Sequence, residues 1–350
     1  MIERITIKNY KSIRHAELDL APINILIGAN GAGKSNFISF LQMVGRIFDR
    51  SLQRFIAEQG GMENLLYRGQ KHSSEMSGRV EFHGQQWYQF ALDPAQIQGL
   101  NTLASFSSEW AHNNDGFSEK PMHSAVGESG LPTEILYDSH KFIIYHFHDT
   151  SREAHIKQSC RVDDNRFLRE NASNLAAYLY YLQRKHSAAF SRIEAIIRSI
   201  APFFDRFDLA PDRINEQYIQ LVWRERDSDM FLNAQNLSDG TLRMIALTTL
   251  LAQPDLPATI IIDEPELGLH PAAILTLAAL LRQASARSQI IVSTQSVNLV
   301  NCFEPEDIIA VDRENKQSTF HRLQREKLQE WLEDYTIGEL WDKNVFGGRP

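Results

Sequence analysis

Eight consecutive residues near the start of the chain, Gly28-Ala29-Asn30-Gly31-Ala32-Gly33-Lys34-Ser35, follow the pattern G-x4-G-K-S. Glycines at these spacings let the backbone curl until successive N–H groups point into one hollow. A helix starting at that hollow adds the partial positive charge of its N-terminus, which favours phosphate. Asn30, Gly31, Ala32, Gly33 and Asn36 are expected to line the hollow. Lys34 would reach the β- and γ-phosphates as a compact cation, and Ser35 would set its hydroxyl on Mg²⁺. The chemistry expected of this segment is the binding of ATP with Mg²⁺.

Ile260-Ile261-Ile262-Asp263-Glu264 puts two carboxylates at the C-terminal end of a buried-type strand. Ligands of open α/β sheets bind at that edge. Asp263 is suited to hold Mg²⁺, directly or through a water, and Glu264 to polarise the water that attacks the γ-phosphate. One carboxylate could not do both, because metal ligation removes its basicity. A third segment, Leu237-Ser238-Asp239-Gly240-Thr241, opens a helix. Ser238 can cap it, and the N–H groups around Gly240 form a second end suited to an anion.

The order of these segments resembles the ATP-binding-cassette (ABC) ATPases, where Leu-Ser-Gly-Gly-Gln opens a signature helix. Here the third residue is Asp239 and the fifth Thr241. The resemblance implies that Ser238, Asp239 and Gly240 of one copy close on the γ-phosphate held by another, giving two composite sites in a homodimer. The run Asp263-Glu264-Pro265-Glu266-Leu267-Gly268-Leu269-His270-Pro271 resembles the RecF, SMC and OLD-nuclease branch. Gln295 stands where that superfamily has its switch histidine. It can donate a hydrogen bond to a phosphate oxygen but carries no titratable proton, which leaves Glu264 as the evident base.

Over its whole length the chain is similar to the compact, stand-alone, RecF-like bacterial ATPases labelled AAA. The stretches that carry this are 7–12, the phosphate loop, 145–151, 237–243, the acidic strand with its tail, 338–341 and 347–350. The implied fold is an α/β ABC-type head of the P-loop NTPase class. Residues 1–164 and 241–350 would form the nucleotide-binding lobe, and 165–240 an inserted helical lobe. Tyr10 and Lys11 fall where related heads contact the base or ribose side of the nucleotide. Residues 145–151 fall at the glutamine-containing loop that senses metal and attacking water; no clear glutamine is there, and His148 or Asp149 would serve through a water. His146, His148 and His155 lack metal-site spacing. Trp331 and Trp341 read as core or interface packing.

Elements must hold these segments. Ile2–Ile7 and Ile13–Leu20 alternate as strands, and Ile23–Ile27 is a short apolar strand feeding Gly28. From Lys34 the period becomes helical, with Phe37, Phe40, Leu41 and Val44 on one face. Val80–Phe82 and Trp87–Leu92 form a hairpin about His83-Gly84. Residues 112–132 read as an exposed loop. Helices are expected near 170–185 and 187–200, a strand over Tyr218–Trp223, and a helix over Gly240–Leu251. Then come strand Thr259–Ile262, helix Pro271–Arg287, strand Ile290–Ser293, late strands Ile308–Val311 and Thr319–Leu323, and a helix over 326–333. Continuous β-branched runs between helices predict a largely parallel sheet.

With 350 residues, 43% of them hydrophobic, the chain can bury a sizeable core in two or three domains. No run approaches the ~18 apolar residues of a membrane span, so no membrane role is expected. Cys160 and Cys302 make no disulfide framework, which fits a reducing cytoplasm. At a formal charge of −8, DNA contact would need a local basic patch or a partner. There is no Cys-x-x-Cys hook or long coiled coil, and only about fifty residues follow Ser296, too few for a Toprim nuclease domain. The expected partner is therefore a separate effector, such as a nuclease or toxin, or DNA lying on the dimer. Two functional classes stay open: a motor or switch in repair or anti-phage defence, and a slow nucleotide-dependent regulator without DNA contact.

Overall fold

A computed structural model describes residues 1–97, 100–113, 116–120 and 142–348. The chain opens with β1 (Ile2–Tyr10), β2 (Ile13–Asp19) and β3 (Ile23–Ile27), and the helix Lys34–Phe48 follows the phosphate loop. Helix Leu52–Glu58 leads to β4 (Met76–Phe82), β5 (Gln86–Ile97), β6 (Leu100–Asn113) and β7 (Gly116–Lys120). β8 (Phe142–Tyr145) and β9 (Cys160–Arg161) precede the helices Leu175–Lys185 and Ser187–Ile200. Next come β10 (Phe204–Phe207), β11 (Tyr218–Ile219), β12 (Val222–Glu225), β13 (Phe231–Asn233) and the helix Asp239–Ala252. β14 (Thr259–Asp263), helix Pro271–Ser285, β15 (Gln289–Ser293), β16 (Ile308–Glu314) and β17 (Gln317–Arg322) complete the strands, and helices Arg325–Leu332 and Ile337–Asp342 end the fold.

Among the described residues the larger sheets are two of six strands, in the orders β2-β1-β4-β5-β6-β7 and β17-β16-β3-β15-β14-β8. The first is antiparallel at every pair, so the expectation of a largely parallel architecture covers only part of the molecule. Its strands alternate, as half-buried antiparallel strands do, whereas β3, β14 and β15 are buried along nearly their whole length around apolar centres. In the second sheet β3 and β16 run parallel, and β17 returns antiparallel to β16. The return is a two-residue turn at Asn315 and Lys316, both at positive φ, the geometry that fits the twist of a hairpin.

Two further expectations are corrected. Tyr218–Trp223 is not one strand: β11 pairs with β9, while β12 joins β10 and β13 in another sheet. The break falls after Ile219, where local alternation gives no sign that the partner changes. The loop expected over 112–132 contains β7, and Asn113 pairs with Gly116. Residues 121–132 of that loop lie outside the described residues.

The chain divides into two compact units, Met1–Ile143 with Pro257–Ile261 and Ile291–Pro350, and Ile144–Leu256 with Ile262–Ile290. These bounds differ from the lobes expected at 164/165 and 240/241, since residues 144–164 and the helix Asp239–Ala252 fall together in the second unit. In the first unit, Phe40 meets Tyr10 edge-on at 5.4 Å between ring centres and stacks on Phe90 at 6.1 Å. This aromatic contact seats the helix of the phosphate loop on the antiparallel sheet. In the second unit, the helix Asp239–Ala252 is buried from Leu242 to Ala252 and packs on Pro271–Ser285 and Ser187–Ile200. Among the described residues, no helix is long and apolar enough to cross a membrane.

Trp341 has no exposed surface, and its indole N–H donates to the Gly348 carbonyl. Gly348 N–H in turn reaches Asp312 Oδ1 at 2.7 Å on β16. Trp341→Ala should therefore lower the unfolding free energy by about 3–5 kcal/mol through cavity formation, as read by urea denaturation; a loss under about 1 kcal/mol would contradict this packing.

Candidate active site

The phosphate loop leaves the end of β3 and runs into the helix Lys34–Phe48. That helix begins at Gly33 without a side-chain cap and without an acidic residue in its first turn. Its first N–H groups and its dipole are thus left without a carboxylate of their own, as an anion site requires. Gly33 sits at φ +129, and a Cβ there would lie 2.2 Å from the Ser318 hydroxyl oxygen. Position 33 therefore admits no side chain.

Lys34 is 5% exposed. Its Nζ donates to the carbonyls of Gly28 at 2.5 Å and Ala29 at 3.2 Å. A buried ammonium must be surrounded by oxygen, and here the loop supplies it. Ser35 is exposed on the first turn, and Asn30 and Gly31 are exposed on the loop itself. Ala32 is buried, its carbonyl accepting from Ser318 Oγ at 2.5 Å. Ser318 Oγ also meets Ser12 Oγ at 2.6 Å, and Asn36 Nδ2 donates to the same Ser12 oxygen at 2.6 Å. Arg313 Nη1 reaches the Gly31 carbonyl at 3.4 Å. The loop is braced from behind by residues close to 300 positions away, and Asn36 faces that brace. Nothing local in the sequence marks Ser12, Ser318 or Arg313 for this task.

Gln295 follows Thr294, whose N–H donates to the Leu26 carbonyl of β3 at 3.0 Å. Gln295 is half-buried just beyond the strand neighbouring the one that feeds the loop. Tyr10 is fully buried, so it packs and does not offer its ring to a base. Its hydroxyl meets Ser39 Oγ at 2.9 Å. Lys11, at φ +48, donates from Nζ to Ser39 Oγ at 2.8 Å and Gln59 Oε1 at 2.9 Å, and burial pushes its pKa down. Both residues tie β1 to the helix Lys34–Phe48.

In the second unit, Asp263 ends β14 and Glu264 follows it, both half-buried. Glu264 lies at φ +41, a left-handed conformation that costs a non-glycine residue about 1–3 kcal/mol. The segment then closes in short turns, Leu267 N–H to the Glu264 carbonyl at 3.2 Å and Leu269 N–H to the Glu266 carbonyl at 2.9 Å. His270 caps the next helix by accepting from Ala272 N–H at 3.3 Å, with Pro271 at its first position. Burial lowers the His146 pKa, with Asp263 opposing that shift and His148 adding to it. The Asp263 carboxylate thus acts on the His146 ring. Asp149 is exposed and held ionised by the Ser151 hydroxyl and N–H. His148 gives its carbonyl to Arg243.

The helix Asp239–Ala252 begins as expected, with Ser238 Oγ accepting from Thr241 N–H at 3.2 Å. Gly240 has a steric reason: a Cβ would lie 2.4 Å from the Gly268 carbonyl oxygen. The start of this helix therefore presses directly on the loop that follows the acidic pair. Arg243 is 5% exposed and donates to the carbonyls of Phe147 at 2.9 Å and His148 at 3.1 Å. Burial lowers its pKa against the pull of Asp239 and Glu266. Asp239 accepts from Lys157 Nζ at 3.0 Å. Sequence reasoning missed Lys157 and Arg243. An arginine inside an otherwise apolar helix was the available signal for the second; the first has none.

Mg²⁺ takes oxygen ligands and keeps waters or substrate phosphates among them. The Ser35 hydroxyl and the Asp263 carboxylate are donors of the required kind, each with accessible surface. Among the described residues no cluster of three or more His, Cys, Asp or Glu is gathered for a metal.

A strand, a glycine-built phosphate loop, a paired-carboxylate strand end and a Ser-capped signature-like helix define the class: an ABC-type ATPase head of the RecF, SMC and OLD branch. The chain belongs to the family described as "AAA domain, putative AbiEii toxin, Type IV TA system", whose model matches residues 23–301. It is 23% identical over 339 residues to the Septu protein PtuA of Bacillus mycoides (strain KBAB4), across 91% of this chain and 41% of that protein. It is 40% identical over 67 residues to the DNA replication and repair protein RecF of Nitrosococcus oceani, across 18% of each. The matches thus span 41% of the first relative's length and 18% of the second's. Among solved structures it shares the fold of an Smc head bound to the C-terminal winged-helix domain of ScpA, at TM-score 0.66 and 18% identity, covering 94% of this chain and 99% of that one. A second Smc head with an extended coiled coil, bound to the C-terminal domain of ScpA derived from Pyrococcus furiosus, aligns at TM-score 0.59 and 14% identity, covering 95% and 98%.

The brace behind the phosphate loop gives a test. Ser318→Ala removes the hydroxyl that holds both Ala32 and Ser12, and should weaken ATP binding about five- to tenfold while lowering stability by about 1 kcal/mol. Titration with a fluorescent ATP analogue alongside thermal unfolding reads both; unchanged affinity would mean the loop keeps its shape unaided.

Proposed function

We propose that this protein binds Mg·ATP through Lys34 and Ser35, hydrolyses it with Glu264 as base and Asp263 at the metal, and dimerises on ATP. The observation that carries the reading is the buried Lys34 ammonium, held on loop carbonyls at the start of an uncapped helix. Such a cation is ready to exchange carbonyl oxygen for phosphate oxygen. Gln295 donates to the γ-phosphate, and His148 or Asp149 contributes through a water. Residues 30–35 line the nucleotide site, and Asn36, which was expected to line it too, supports the loop from the brace. Ser238, Asp239 and Gly240 of one copy complete the site of the other, so that residues 1–164 and 241–350 act as the nucleotide-binding lobe and 165–240 as the helical lobe.

The dimer is the engine, and a separate effector or bound DNA is the tool. The likeness to a Septu protein supports a place in anti-phage defence, and the family's description supports an effector of toxin type. The likeness to RecF supports the nucleic-acid link. A slow nucleotide-dependent regulator without DNA contact is the competing reading. ATPase stimulation by double-stranded DNA that fades as salt rises favours the first, and a flat response favours the second. A cytoplasmic location accords with both.

Glu264→Gln should keep ATP and Mg²⁺, reduce turnover by at least about a hundredfold, and accumulate a dimer with ATP in light scattering. Normal turnover would remove Glu264 from the base role. Ser238→Arg should bind ATP normally as a single chain yet fail to dimerise or turn over; if it does both, the composite site is wrong.

A further inference from the structure

The signature-like segment carries a carboxylate where the ABC pattern has glycine. Asp239 stands in the first turn of its helix with a side chain 64% exposed. An acidic residue there stabilises the helix, because the dipole's positive end lies beside it. The same charge opposes any anion approaching that end. Its partner is not a surface residue. Lys157 has a side chain only 8% exposed, and its Nζ is fixed between Asp239 Oδ1 at 3.0 Å and the Thr150 carbonyl at 2.5 Å. A buried lysine is held at a desolvation cost, which the carboxylate and carbonyl it meets offset. The segment that delivers it is itself tied down, since the Arg152 carbonyl accepts from Gln235 Nε2 at 3.1 Å just before the helix begins. Arg243 also acts on Asp239 but is committed to the carbonyls of Phe147 and His148.

We propose that Lys157 is a positioning residue for the ATPase: it cancels the Asp239 charge, so that the helix start at Ser238 and Gly240 can receive the triphosphate of a second copy. This rests on the composite-site reading above. Asp239 supports the helix, Lys157 removes its field from the anion's path, and the helix start keeps its net attraction. A lone carboxylate beside a triphosphate is a repulsion that acts only when the two copies close. Its effect therefore falls on dimerisation and turnover and spares nucleotide binding by a single chain.

The test uses the full chain carrying Lys157→Met, Asp239→Asn and the two together, each also in a Glu264→Gln background to accumulate dimer. Dimerisation with Mg·ATP is read by light scattering, single-chain affinity by a fluorescent ATP analogue at dilution, and turnover by phosphate release. Lys157→Met should weaken ATP-driven dimerisation about tenfold and leave single-chain affinity within about twofold. The double variant should recover to within about threefold of the starting protein, since no charge is left to cancel. Asp239→Asn alone should tighten the dimer severalfold at low salt, less at high salt. A pair that only braces the fold predicts the reverse for Asp239→Asn, and a weaker dimer there overturns the proposal even if Lys157→Met fails to fold. A double variant as impaired as Lys157→Met also overturns it. Should Ser238→Arg dimerise normally, the composite site fails first; should Ser238→Arg block dimerisation while Lys157→Met does not, this inference alone fails.

Discussion

A lysine ammonium with almost no access to water has to be ringed by oxygen, and much of the first unit is arranged so that Lys34 is. Those oxygens include the carbonyls of Gly28 and Ala29. Those carbonyls face inward because the loop is curled, and the curl holds because Gly33 lies flush against Ser318. Ser318 in turn is placed by the antiparallel return of β17 on β16, and β16 by its parallel pairing with β3. A cation on one side of the loop is thus secured by a hairpin formed near the other end of the chain. An unpaired buried charge would be destabilising by several kcal/mol, so the geometry of binding and the stability of the unit share one set of contacts.

The second unit solves the opposite problem. It concentrates negative charge at Asp263, Glu264, Glu266 and Asp239, and it answers with two cations that hardly touch solvent. Arg243 and Lys157 both reach from or to the signature-like helix, and both also hold carbonyls of the stretch Phe147–Thr150. That stretch, the helix start and the turn at Gly268 consequently form one hydrogen-bonded and sterically fitted assembly. None of the three can shift without disturbing the others.

The segments of the candidate site are legible in the sequence because each is contiguous. The phosphate loop and the acidic strand announce themselves by residue types at fixed short spacings, and Ser238 by its place before a helical run. Helices such as Lys34–Phe48 and Pro271–Ser285 were legible for the same reason, through their period. What the sequence hid is whatever depends on pairing between distant segments. Ser12 and Ser318 are ordinary serines until β1, β2 and β17 meet. Lys157 reads as a surface lysine until it is found beneath Asp239. The break between β11 and β12 was invisible because alternation tells which face a residue takes, not which strand lies beside it. Lys11 matched a family position, yet its ammonium is engaged with Ser39 and Gln59, a contact that only the packed helix creates.

The left-handed backbone at Glu264 has a consequence for how this chain can drift. Glycine or asparagine would relax that torsion, so pressure for a sturdier fold pulls position 264 away from a carboxylate. A degenerate copy freed from its task would be expected to lose the acid here early, and to become more robust as it does so. With Glu264 in the proposed base role, longevity and reactivity are set against each other at a single peptide unit.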